Sequence, residues 1–309
     1  MKWCCYINPA AGGGRGAELL RQMEQLSESK QLNAEISRLD RGTALIEMLR
    51  QPTDCDAVLV AGGDGSVSSA ASCLCDSGIP LALLPLGTGN DLARELGVYD
   101  RFQQMPLLDL IRFYETKAKT RALTLWQASN TIGRSIIFCN YLSLGFDAAV
   151  VSEFAARRAR GAFPLNKVSA FRNRLGYTYE ALRQISYPVV KELQLQDQTG
   201  QQTFSTPACR SLMFANIKSV MGIACSNSYS DCFDQQLECI PVPSLYSYFG
   251  MILRQLNLTA KGHPPRSATR WRLASLNPEQ RVQYDGEALG EWGSTDMIIE
   301  LAGHTPILS

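Results

Sequence analysis

The sequence predicts two domains of different architecture: an α/β first domain built on an open, mostly parallel sheet, and a β-rich, antiparallel second domain. Three observations carry this. The first hundred residues alternate short apolar runs with stretches of helical periodicity. Each apolar run stops at a turn rich in Gly or Asn, as in a βα repeat. From about residue 121 the rhythm changes to longer, partly alternating runs, the pattern of antiparallel strands with one covered face.

In chain order, strands are expected at 2–7, 32–39, 56–61 and 80–85, with helices at 16–29, 42–51, 66–76 and 90–97. The runs at 57–61 (AVLVA) and 81–84 (LALL) are apolar without alternation, which fits strands covered by helices on both faces. Such a sheet binds its ligands beyond the carboxyl ends of its strands. In the second half, strands are expected in the runs 121–129, 134–144, 188–196, 210–217, 236–242, 270–276 and 296–302. Helical stretches interrupt them near 146–160, 167–187 and 244–256. The basic stretch Lys117–Arg121 is the expected hinge, dividing a domain of residues 1–120 from one of 121–309. The last ~15 residues are free to return to the first.

Composition narrows the function. At 309 residues with 45% hydrophobic content the chain can bury a real core. Its 30 basic and 29 acidic residues leave a net charge of +1, which argues against nucleic acid as the main partner. Ten cysteines are scattered with no Cys-x-x-Cys pair, so free thiols in a reducing compartment are expected. With two histidines and no cysteine pair beside them, no transition-metal site is expected. The apolar run at 3–7 ends in Asn-Pro, too short for a signal peptide, and no window reaches about 18 apolar residues. A cytoplasmic protein that meets membranes only peripherally is the expectation.

Three glycine-rich turns follow three of the first four strands and each opens a helix. They hold Asn8, Gly12 and Gly13; then Gly62, Gly63, Asp64, Gly65 and Ser66; then Gly87, Thr88, Gly89, Asn90 and Asp91. Glycine lets a bulky anion approach the backbone, and a helix start offers unpaired N–H groups. Any one such loop equally serves to close a tight turn; three on one sheet edge make a phosphate cradle. A bare carboxylate beside phosphate is repelled unless a divalent cation intervenes, so Asp64 and Asp91 point to magnesium. The competing readings are a turn former at Asp64, a helix-start acid at Asp91, and helix caps at Ser66 and Asn90.

The stretch from Val58 to Leu74, with the one from Pro80 to Gly97, closely resembles the catalytic domain of diacylglycerol kinases. That family's signature is Gly-Gly-Asp-Gly-Thr and, after a helix and a strand, Pro-x-Gly-Thr-x-Asn-Asp-x-Ala-Arg. The leading Asn8-Pro9 turn, Gly145-Phe146-Asp147-Ala148 and Asp285-Gly286-Glu287 also match, so the likeness runs through the whole chain. It implies an ATP-dependent kinase that phosphorylates diacylglycerol to phosphatidic acid with magnesium, its active site in an interdomain cleft. The glycine turns and Asp64 would hold ATP, Asp91 would act through magnesium or the nucleotide, and Asp285 would be the base. Glu287 stands as a second catalytic carboxylate, or as a solvated acid at the turn. Asp285-Gly286 on spacing alone is equally a hairpin turn, and Asp147 is either a cleft residue or a helix cap.

The sequence departs from the family at Ser66, where Thr is usual, and at Val220-Met221-Gly222 and Phe233-Asp234-Gln235-Gln236. The last region carries a structural magnesium in some bacterial relatives, and none is expected here. Kinases for sphingosine, ceramide or phosphatidylglycerol share the resemblance. NAD kinases share only the Gly-Gly-Asp-Gly-Thr turn, and an inactive lipid- or nucleotide-binding regulator would have no use for Asp64, Asp91 and Asp285 together.

Charge is unevenly spread. Residues 153–191 hold eight basic residues (Arg157, Arg158, Arg160, Lys167, Arg172, Arg174, Arg183 and Lys191) against Glu153 and Glu180, a net +6. Interleaved with Phe154, Phe163, Phe171, Tyr177 and Tyr179, this stretch suits an anionic membrane surface, or else a solvated helix face whose aromatics belong to the core. Residues 250–272 add five more basic residues and no acid.

Overall fold

The structure is a computed structural model that describes residues 1–39, 45–49, 54–160, 170–196, 203–220, 224–225, 228–253 and 265–309. They form two compact units: the described residues of 1–125 with Gly303–Ser309, and those of 126–302.

The first unit runs β1 (Trp3–Ile7), α1 (Arg15–Glu28), β2 (Ala34–Arg38), α2 (Leu45–Leu49), β3 (Ala57–Gly62), α3 (Asp64–Cys73), β4 (Leu81–Pro85), α4 (Asp91–Glu95), α5 (Val98–Gln104) and α6 (Leu107–Thr116). The strand order is β2-β1-β3-β4, all parallel. The chain leaves β1 toward one edge and β3 toward the other, so right-handed crossovers put α1 and α3 on opposite faces. Between β1 and β3 the loops part, the position where open α/β sheets bind ligands. Every residue of β1, β3 and β4 is buried, as expected of strands covered on both faces. Trp3 is fully buried and donates its Nε1–H to Glu115 (3.0 Å), while the Tyr114 hydroxyl donates to Leu83 O (2.7 Å). Those partners sit on α6, which, with α5, the sequence reading lacks. Gly97, at φ 69°, breaks α4 from α5, whose seven residues are too few to show a period, and Pro106 starts α6, whose ten residues bury Leu110, Ile111 and Tyr114 on one face. Of the helix expected at 42–51, residues 42–44 and 50–51 lie outside the described residues.

β5 (Thr120–Ser129) leads into the second unit. There follow β6 (Ser135–Phe138), β7 (Tyr141–Gly145), α7 (Phe146–Ala159), α8 (Ala170–Arg183), β8 (Leu193–Gln196), β9 (Thr203–Thr206), β10 (Ser211–Ala215), the short pair β11 (Ser219–Val220) and β12 (Ala224–Cys225), β13 (Leu237–Val242), α9 (Leu245–Leu253), β14 (Arg266–Ala268), β15 (Arg270–Ala274), β16 (Arg281–Tyr284), β17 (Glu287–Glu291) and β18 (Asp296–Leu308). An antiparallel sheet in the order β14-β13-β10-β7-β16-β17 packs against strands β18, β15, β8 and β9 and the β5–β6 pair. Their shared core includes Trp126, Leu142, Leu144, Phe214, Trp271 and Trp292. Alternation along β7 sends Leu142 and Leu144 into this core and Tyr141 to the opposite face, where Phe146, Val150 and Tyr248 pack. β18 contributes its residues up to Ala302 to this unit and those from Gly303 to the first, where Ile307 pairs in parallel with Leu81.

Glu238 on β13 is buried, and its Oε2 has no partner among the described residues. Burial, with Asp234 and Asp231 adding to it, pushes its carboxyl up to about 7 from an ordinary 4.5. Between those values the folded chain keeps a proton that the unfolded chain has lost. The resulting stability is full below 4.5 and is lost as pH rises through 7, about 3 kcal/mol in all. Glu238→Gln is therefore expected to raise the melting temperature at pH 8 by several degrees and to change it little at pH 5. An equal shift at both pH values in thermal unfolding would mean that Glu238 titrates normally.

Candidate functional site

The three glycine turns converge on the carboxyl edge of the first unit's sheet. They touch so closely that side chains would not fit between them. A Cβ on Gly87 would stand 2.6 Å from Gly63 Cα, and one on Gly12 would stand 2.9 Å from Leu86 O. One on Gly62 would meet Ser66 at 2.7 Å. Gly12 and Gly13 take φ of 64° and 65°, in the region glycine enters without strain. Asn8 builds its turn by accepting from Ala10 N through Oδ1 (3.0 Å), and its own N–H donates to Ala61 O. The ten-residue α3 begins at Asp64 with Gly63 as N-cap and no side-chain cap among the described residues. Gly65 and Ser66 lie in its first turn, so Ser66 is not the cap the sequence allows.

Asp64 is the knot of this cluster. Its Oδ2 accepts from Asn90 N and its Oδ1 from Asp91 N, each at 2.7 Å, so a carboxylate from one turn caps the helix opened by another. Asn90, at φ 54°, occupies the N-cap position of α4 but its side chain makes no cap bond; its amide donates to Gly87 O (2.7 Å) and closes the third turn, which also holds Thr88. A Cβ on Gly89 would lie 2.6 Å from Asp64 Oδ2 and 3.6 Å from Asp91 Oδ2, so the two carboxylates flank Gly89. Arg94 donates through Nε to Gly89 O (3.1 Å). The close backbone, the helix start and the paired acids suit a polyphosphate with a divalent cation, which takes one or two carboxylates and completes its shell with phosphate and water.

The second unit holds the other expected residues. Asp285 and Gly286 take φ of 48° and 82° at the turn joining β16 to β17, the conformation that makes Asp-Gly a hairpin signal. The hairpin reading is thus correct, yet Asp285 does more than turn the chain. It is buried, and its carboxylate accepts from the backbone N–H groups of Cys139 (2.9 Å), Asn140 (2.7 Å) and Tyr141 (3.0 Å). Three of a carboxylate's roughly four acceptor positions are engaged this way. Glu287, next to it, is exposed.

Asp147 is not the helix cap, and its side chain is buried within the second unit. α7 is capped at Gly145, and Asp147 is fully buried in its first turn. Its carboxylate accepts from Ser143 Oγ (2.5 Å), the Tyr248 hydroxyl (2.8 Å) and Gln283 Nε2 (3.2 Å). Burial, the largest influence, pushes the Asp147 carboxyl up, and the three hydrogen bonds oppose it. Gln283 also accepts from Gly286 N (3.0 Å), so Asp147 braces the Asp285 turn from within the unit. Sequence reasoning missed Gln283, Ser143, Tyr248 and Asn216, whose amide donates to Cys139 O (2.6 Å). The one available signal was the polar Asn140 beside Cys139 inside the apolar run at 134–144, where the chain breaks β6 from β7.

Of the two departures in the second half, Met221 and Gly222 lie outside the described residues, and Gln235 adopts φ 59°, in the left-handed region.

The sequence model of the diacylglycerol kinase catalytic domain matches residues 2–121, and that of the diacylglycerol kinase accessory domain matches residues 137–288. The eye-specific diacylglycerol kinase of Drosophila melanogaster is 27% identical over 92% of this chain, and human diacylglycerol kinase zeta 31% identical over 56%. The chain spans only 21% and 20% of those relatives' lengths. A solved diacylglycerol kinase from Bacillus anthracis superposes over 99% of this chain and 96% of its own, at a TM-score of 0.67 and 17% identity, which shows a shared fold.

Proposed function

The chain belongs to the diacylglycerol kinase family, and on that premise we propose that it transfers the γ-phosphoryl group of ATP to the free hydroxyl of diacylglycerol, giving phosphatidic acid. The observation that supports this most is the convergence of three glycine turns at the switch point of the first unit's sheet, with Gly87 too close to Gly63 to carry a side chain. Asn8, Gly12, Gly13, Gly62, Gly63, Gly65, Ser66, Gly87, Thr88, Gly89 and Asn90 hold the nucleotide. Asp64 and Asp91 are the carboxylates that would hold magnesium, which when bound offsets the negative charge of the phosphates.

Phosphoryl transfer asks little covalent chemistry of the protein and much positioning. Asp285 takes the acceptor hydroxyl's proton. Three backbone N–H groups fix its carboxylate in place. The acceptor is a membrane lipid, so the enzyme works at a membrane surface and needs no spanning segment. No helix among the described residues is long and apolar enough to cross a bilayer.

Radiolabelled ATP offered with micellar diacylglycerol, sphingosine, ceramide and phosphatidylglycerol, and separately with NAD, tests the reading. Label is expected in phosphatidic acid and to vanish when magnesium is chelated. Label in another lipid would change the substrate, and label only in the dinucleotide would overturn the lipid-kinase reading. Gly87→Ala tests the cradle: its Cβ collides with backbone, so the turns must part, and misplacement of about 1 Å costs about 10²-fold in turnover. Calorimetry should show weaker ATP binding by the same variant, and unchanged affinity would move the nucleotide elsewhere.

A further inference from the structure

Among the described residues nine large apolar side chains stand exposed, and four of them fall within eleven positions: Tyr179, Leu182, Ile185 and Val189. The inner face of α8 is well occupied. Tyr177 stacks on Phe154 at 4.0 Å, Ala181 is buried, and the buried Glu180 pairs with Arg157. The outer face carries Tyr179, Leu182 and Arg183, with Leu182 56% exposed, where a water-facing helix carries polar residues. Ile185 and Val189 extend this apolar strip past the helix end.

Cations rim the strip. Arg183 and Lys191 are exposed, and the α7–α8 contacts bring the end of α7, with exposed Arg158 and Arg160, alongside. Of the nearby acids, Glu180 pairs with Arg157 and Glu153 with Arg281, while exposed Glu192, held by the Ser205 hydroxyl, keeps its charge beside Lys191. Arg157 is therefore a strut between helices, and among the described side chains the membrane-facing cations implied by the sequence are Arg158, Arg160, Arg183 and Lys191, those of Arg172 and Arg174 lying outside the described ones. Lys167 and Phe163 lie outside the described residues.

We infer that the outer face of α8 and the segment to Lys191 dock on an anionic bilayer, with Leu182, Ile185 and Val189 entering the acyl boundary and the four cations resting on the headgroups. This rests on the lipid-kinase reading and specifies where that enzyme meets its membrane. Aliphatic side chains with a tyrosine at the level of a basic rim are the composition of interfacial helices.

The full chain is sedimented with phosphatidylcholine vesicles with and without phosphatidylglycerol, and its turnover is measured on dispersed short-chain diacylglycerol. Leu182→Gln with Ile185→Gln is expected to weaken partition about 10²-fold, near tenfold per side chain. Arg158→Gln, Arg160→Gln and Arg183→Gln together should cost about fivefold each and flatten the salt dependence. Turnover on dispersed substrate should stay parental in both. Parental partition by either variant onto phosphatidylglycerol vesicles would overturn the inference. So would a parent dimer in sedimentation velocity that Leu182→Gln with Ile185→Gln converts to monomer, since the strip would then bind a second copy. If the variants lose partition but the parent leaves dispersed diacylglycerol untouched, the docking face stands and the substrate reading falls.

Discussion

Asp64→Ala is expected to abolish turnover and to lower the melting temperature in the same variant. The substitution removes a carboxylate that accepts both Asn90 N and Asp91 N at 2.7 Å. Hydrogen bonds to a charged group contribute about 1.5–3 kcal/mol each, at the lower end for a half-buried acid like this one. A loss of about 3 kcal/mol, several degrees of melting temperature, is expected by thermal unfolding. Turnover should fall about 10³-fold, because the third glycine turn loses its anchor along with one of the two carboxylates proposed to hold magnesium. Asp64→Asn separates the two duties. It keeps one acceptor for the helix start but loses the charge a cation needs, so it should recover part of the stability and little of the activity. Parental magnesium and ATP dependence in Asp64→Asn would leave Asp64 as a cap alone.

That double duty bears on what a sequence can convey. The glycine turns were legible because glycine at a strand-to-helix turn has a local cause, and β1, β3 and β4 were legible because strands buried on both faces cannot alternate. Asp64's partners are 26 and 27 residues away, and no local pattern announces a cap supplied from another loop. The antiparallel unit was legible as a class, but its β9, β14, β16 and β17 have three to five residues each, too few for alternation to show. α5 was lost because Gly97 and Pro106 leave it only seven residues, whereas the apolar face of the ten-residue α6, Leu110, Ile111 and Tyr114, was legible.

In the second unit the sequence supplied the turn and not its surroundings. Asp285-Gly286-Glu287 stood out by its resemblance, whereas the groups that hold it come from 139–141 and from Gln283. In the sequence Asp147 reads as a helix cap or a cleft residue. It is buried because the neighbouring Ser143, Tyr248 and Gln283 supply donors that only the folded sheet assembles.

Asp285→Asn then carries the sharpest consequence for mechanism. An amide in place of the carboxylate keeps the turn but offers one acceptor oxygen to three N–H donors, and its own NH2 must face at least one of them. Leaving buried donors unmatched costs about 1–3 kcal/mol each, so the variant should melt several degrees lower, unlike a substitution that removes only a base. In addition, loss of a positioned base lowers the rate about 10²–10⁴-fold. Assayed at a temperature where circular dichroism shows it folded, Asp285→Asn should bind ATP as the parent does while its kcat on diacylglycerol collapses. Glu287→Gln supplies the control, because Glu287 is exposed and its replacement should leave the melting temperature unchanged. If Asp285 takes the proton, Glu287→Gln should stay within a few-fold of parental kcat. The reverse result, a folded Asp285→Asn near parental kcat beside a collapsed Glu287→Gln, would make Asp285 the clamp of the 139–141 backbone and pass the proton to Glu287.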